Sequence, residues 1–91
     1  MIKWEDRTSY SRSNKERVPS ILETNVRGLR IVVHRIRHEE GWYLSVYKLN
    51  INDVYLGIED LEKAKIKGLE ILANEILKLE KIRDVLVSNL R

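Results

Sequence analysis

The chain has 91 residues, 43% of them hydrophobic and 34% charged, with a formal net charge of +3 and no cysteine. That length gives one domain with a modest core, burying ~60–65% of its unfolded surface, and the missing thiols exclude disulfides, thiolate metal sites and a cysteine nucleophile. The start, "MIKWEDRTS", lacks an apolar signal core and no apolar run approaches the ~20 residues of a membrane span, so a cytoplasmic protein with no membrane contact is expected.

"MIKWED" predicts a short strand anchored by Trp4. The next stretch, "TSYSRSNKERVPS" (8–20), holds one aromatic, three basic residues, four serines and the only proline. As an arm, it lets Arg12, Lys15 and Arg17, with Tyr10, reach a phosphate backbone or an acidic groove. As structure, Ser13-x-x-Glu16 fits a capping box and Pro19 pushes Val18 out of the helical region. The reading adopted is mixed: Tyr10 and Pro19 structural, the basic side chains available. "SILETNV" (20–26) predicts a strand and Gly28 a turn. "LRIVVHRIRH" (29–38) and "WYLSVYKLN" (42–50) are the strongest strands, rich in β-branched and aromatic residues. They predict an antiparallel hairpin with a loop near His38–Gly41. A turn at Asn52-Asp53 and a short third strand, Val54–Leu56, follow.

From Glu59 the apolar period changes. Leu61, Leu69, Leu72, Ile76, Leu79, Leu86 and Leu90 recur at helical spacing, and acids cluster at the start, where they suit the helix dipole. Gly68 is a helix-interior cost of about 1 kcal/mol, tolerable where a sheet approaches closely. The expected fold is α+β: an antiparallel three- to four-stranded sheet packed against one long C-terminal helix. Within the single domain 1–91, residues 1–28 form the N-terminal strand and basic arm, 29–57 the hairpin and short strand, and 59–90 the helix.

Parity sorts the hairpin's side chains. With a four-residue loop at 38–41, Arg37 opposes Trp42 and Val33 opposes Val46. One face then carries Ile31, Val33, Arg35, Arg37, Trp42, Leu44, Val46 and Lys48. The other carries Arg30, Val32, His34, Ile36, Tyr43, Ser45, Tyr47 and Leu49. The first is the better core, leaving two tyrosines beside Arg30 and His34 outside, a combination suited to stacking on nucleic acid.

Charge and helix length add to this reading. Residues 1–41 hold nine Lys/Arg against six Asp/Glu, whereas 42–91 hold eight of each. The first half is also rich in arginine, whose planar fork suits phosphate or carboxylate. A helix of about 31 residues runs ~46 Å and a nine-residue strand ~30 Å, so the helix overhangs the sheet. Leu79, Ile82, Leu86 and Leu90 then need cover, from the N-terminal segment with Trp4, Ile21 and Leu22 or from a second subunit's helix.

No metal, cofactor or catalytic constellation is expected. His34 and His38 on one strand lie ~13 Å apart, too far for one ion. "HEEG" lacks the second histidine of a zinc-protease helix, and the four glycines are isolated.

The segment "GWYLSVYKLNINDVYLGIEDLEKAKIKGLEIL" runs from a Gly-Trp strand opening, through a turn and a short strand ending in Leu-Gly, into a helix at "EDLEKAK". It resembles the three-stranded-sheet-plus-helix, arm-type DNA-binding domain of phage and transposon integrases, over about a third of the chain. The resemblance implies DNA contacts from Arg35, Arg37 and Lys48, or from Arg30, Tyr43 and Tyr47, depending on the outward face. The chain departs from that family in its longer helix, its added N-terminal arm and the lack of a recombinase domain. In style it also resembles small accessory proteins of phages, which often bind and block a host machine in the host cytoplasm. The leading expectation is a non-enzymatic module of a phage or mobile element. It binds DNA or RNA through Tyr10, Arg12, Lys15, Arg17, Arg30, His34, Arg35, Arg37, Tyr43 and Tyr47. The alternative is an anti-defence inhibitor that blocks a host protein such as a CRISPR-type nuclease. A homodimer through the C-terminal helix is compatible with either.

Overall fold

A computed structural model describes residues 2–10 and 18–90. It contains β1 (Glu5–Asp6), β2 (Ile21–Val26), β3 (Leu29–His34), β4 (Tyr43–Val46), a 3-10 turn (Tyr47–Leu49), β5 (Ile51–Tyr55) and α1 (Leu61–Ser88). The strands form one antiparallel sheet in sequential order. The fold is α+β, as expected, with five strands rather than three or four.

The turns explain where the strands stop. Between β2 and β3, Arg27 and Gly28 both have positive φ, 51° and 85°. Two such residues match the right-handed twist of a tight hairpin. Asn25 Oδ1 accepts the Gly28 N–H at 2.9 Å. At the other end β3 stops at His34, four residues short of the expected His38. The longer connection, 35–42, turns with positive φ at His38 and Gly41.

The hairpin register differs from expectation accordingly. Val33 faces Leu44 and His34 faces Tyr43, so neither the Val33–Val46 nor the Arg37–Trp42 pairing forms. The offset is two residues, and an even offset leaves every side chain on its face. The expected strand 42–50 ends early, at Val46, where the 3-10 turn closes on Asn50 in a left-handed conformation. β5 runs through Asn52-Asp53, which were expected to turn. What survives of that turn is a positive φ of 50° at Asp53 and a register shift between Leu44 and Val46.

The buried face is the one that parity selects. Ile31, Val33, Trp42, Leu44 and Val46 join Leu22, Leu56, Ala64 and Leu72 in one core. Gly68 brings the helix down on the sheet: a Cβ there would lie 3.4 Å from both Leu44 Cδ1 and Val33 Cγ2. The helix has 28 residues, or ~42 Å, whereas a six-residue strand spans ~20 Å. The molecule is therefore elongated, 63 Å against 24 and 22 Å. Every residue from Leu77 to Leu90 is exposed. Of the two covers expected for this tail, the described N-terminal segment is not one. Trp4 packs on the core, and Ile21 and Leu22 belong to β2.

Candidate interaction surfaces

The outer sheet face is built around a buried serine. Ser45 has no solvent exposure. Its hydroxyl accepts the Asp53 N–H at 3.0 Å, donates to Asp53 Oδ1 at 3.1 Å and lies 2.9 Å from His34 Nε2. Asp53 Oδ1 is 3.2 Å from the same ring nitrogen. Serine, histidine and aspartate meet here, but not as a nucleophilic triad. In a triad the carboxylate holds the ring nitrogen opposite the serine. Here both partners sit on Nε2, Nδ1 faces the Arg35 carbonyl at 3.3 Å, and the serine is shut off from solvent. The cluster is a polar knot that fixes the irregular β4–β5 pairing. Asp53 had been read only as a turn residue, so the sequence carried no signal for this knot.

The tyrosine pair on this face differs from the expected one. Tyr47 sits in the 3-10 turn, exposed, and leaves the sheet face. Its place beside Tyr43 is taken by Tyr55, directly across the strand pair, with ring centroids 5.2 Å apart. His34 completes the row, 6.3 Å from Tyr43. The Tyr55 ring lies over Gly41, where a Cβ would come within 2.8 Å of it. Partial burial, then the negative charge of Glu39, then Tyr55 and Asp53 hold the Tyr43 phenol above its ordinary pKa.

Most of the described arginines are already engaged. Arg30 pairs with Glu23, which also receives Arg7 Nε at 3.0 Å, and Arg7 reaches Glu5 at 2.6 Å. Arg30 stands at the turn end of β3, away from the tyrosines, and not beside them as expected. Arg35 stacks on Trp42 at 5.0 Å and pairs with Glu59 at 3.1 Å, while the Trp42 indole N–H donates to the Glu59 carbonyl. Arg35 therefore closes the edge of the core. Lys48 Nζ donates to the Gly28 carbonyl at 3.1 Å. Arg27 and Arg37 are exposed and make no side-chain bond among the described residues.

Tyr10 folds back, its hydroxyl donating to Asp6. Hydrogen bonds from the Thr8 and Tyr10 side chains, then from the Thr8 backbone, hold the Asp6 carboxyl below its usual pKa. The Thr8 hydroxyl accepts the N–H groups of Ser20 and Ile21 at 2.7 and 3.0 Å, which ties this segment to β2. Arg12, Lys15, Arg17 and the Ser13–Glu16 capping box lie outside the described residues. The charge lies outside them too. Residues 2–10 and 18–90 contain thirteen basic and thirteen acidic side chains, so the net +3 resides in residues 11–17 and Arg91.

Two further surfaces complete the picture. A cleft lined by Ser20, Arg35, Arg37, Glu39, Glu40 and Glu59 adjoins the tyrosine end of the sheet. On the far side, the helix tail exposes Leu79, Ile82, Leu86 and Leu90, the stripe singled out from the sequence. Among the described residues no acid, histidine and cysteine cluster could hold a metal ion, and no helix is long and apolar enough to cross a membrane. Comparison with known protein families, curated proteins and solved structures finds no match to this chain.

Proposed function

We propose that the protein is a non-enzymatic binding module that docks on a basic protein surface through the tyrosine end of its outer sheet face. The observation that carries this reading is the pair of carboxylates, Glu39 and Asp53, that act on Tyr43 beside Tyr55. Glu39 and Asp53 act on the Tyr43 phenol, and in the adjoining cleft, where Arg35 and Glu59 pair with each other, Glu39 and Glu40 stand with Arg37 and His38. A lysine or arginine of the partner gains a ring face and a carboxylate at once. A host protein whose basic groove ordinarily holds nucleic acid, such as a defence nuclease, presents that chemistry and would be blocked by an occupant of this kind.

Nucleic-acid binding is the second reading. It is favoured by the unpaired Arg27 and Arg37 and by the basic composition of residues 11–17. It requires a polyanion to approach through those residues and not through the tyrosine face.

Fluorescence anisotropy separates the two, with a labelled Arg/Lys-rich peptide and labelled duplex DNA at ~50 and ~200 mM salt. The protein reading expects peptide binding that weakens in Tyr55→Ala and Glu39→Lys. DNA binding with a steep salt slope, indifferent to both substitutions, would replace it with the nucleic-acid reading.

A further inference from the structure

We infer that the exposed tail of α1 is the interface of an antiparallel homodimer, the occupant of its apolar stripe being the same stripe of a second copy. The stripe lies on the same helix face as the core contacts, with Glu75 between the two sets. Ala64, Gly68 and Leu72 are buried against the sheet, and Leu79, Ile82, Leu86 and Leu90 follow on the same helix face at spacings of three, four and seven. The tail positions are 49%, 57%, 62% and 84% exposed, with Val85 beside them at 61%. One helix face is thus covered for its first half and bare for its second.

The sheet fixes which arrangement two copies can adopt. It packs on the stripe face over the first half of the helix, the very space a parallel partner helix would occupy. In a parallel pair the two sheets collide between the helices. In an antiparallel pair the tails lie side by side and the sheets sit at opposite ends.

The area is sufficient for a weak dimer. Five side chains at roughly 100 Å² each, about 60% exposed, give ~300 Å² of apolar surface per copy. With the usual polar share, the pair buries roughly 900–1,000 Å², near the floor for a specific interface. A dissociation constant in the micromolar range is expected.

Analytical ultracentrifugation of the full chain from ~1 to ~300 μM tests the state, spanning the expected range. The wild type should pass from monomer to dimer, and Leu79→Glu with Leu86→Glu should weaken association by roughly a hundredfold or more while leaving the circular dichroism of the fold intact. A chain that stays monomeric, or a dimer that survives the double substitution, overturns the inference. Orientation is read from spin labels, which the cysteine-free chain accepts at single introduced sites. Labels at Asp84→Cys should lie close together, and labels at Glu75→Cys should be displaced by roughly 27 Å along the axis. Short distances at both sites mean a parallel pair and also overturn it.

Discussion

Gly68 is where a single residue tests the spacing between the helix and the sheet. A glycine inside a helix costs about 1 kcal/mol relative to alanine, and close packing is the usual reason to accept it. Here the nearest atoms to an added Cβ, Leu44 Cδ1 and Val33 Cγ2, stand at 3.4 Å, with Leu56 Cδ1 at 3.9 Å. One methyl group therefore fits at van der Waals contact. The helix gain and the added burial then act in the same direction. Gly68→Ala is expected to stabilise the protein by about 1 kcal/mol in urea unfolding, and Gly68→Leu to destabilise it by about 1–3 kcal/mol through overpacking. A marked loss in the alanine variant would mean that the two layers are closer than this geometry. Not every residue of this kind is legible in the sequence. The hydrophobic alternation names Ile31, Val33, Leu44 and Val46 as core. It is silent about Ser45 and Asp53, whose roles depend on a strand irregularity that no local pattern encodes.

At the scale of elements, the strands were legible by face and illegible by end. Parity survives any even offset, so the buried face followed from alternation even though the true pairing is Val33 with Leu44. The ends at His34 and Val46 precede left-handed residues at His38 and Asn50; both residue types favour that conformation, but neither fixes how many residues earlier a strand stops. The helix was legible as an element, Leu61–Ser88 against the expected 59–90, but of the apolar series only Leu72 is fully buried, beside Ala64 and Gly68. Its two halves nonetheless differ in what they support. No residue beyond Ile76 takes part in the core. A chain ending at Lys78 should keep its sheet, its core and its melting temperature, losing no more than about 1 kcal/mol when measured at low micromolar concentration, where tails are unpaired. Collapse of the truncated chain would show that the tail props up the core and is not a surface held in reserve.

The described residues join a compact body to a bare rod. The body has ends of different character: the Glu39 and Asp53 carboxylates act on Tyr43, and Arg27 and Lys48 mark the turn at the other end. The rod adds 14 residues, 77–90, all exposed and without a tertiary partner among the described residues. Local stability follows burial and packing, so amide hydrogen exchange should grade along the molecule. Protection should be greatest in β3, β4 and the helix turns around Gly68, and should fall steadily beyond Ile76. Concentration then gives the profile a second dimension. Association that buries Leu79, Ile82 and Leu86 must slow exchange in the tail and leave the centre of the sheet unchanged, since mass action stabilises only what the interface orders. Mass spectrometry of exchange at low and high micromolar concentration would show this as a difference confined to 77–90. A difference centred on Tyr43 and Tyr55 would instead assign self-association to the outer sheet face, and the proposed partner-binding surface would be the one that two copies conceal.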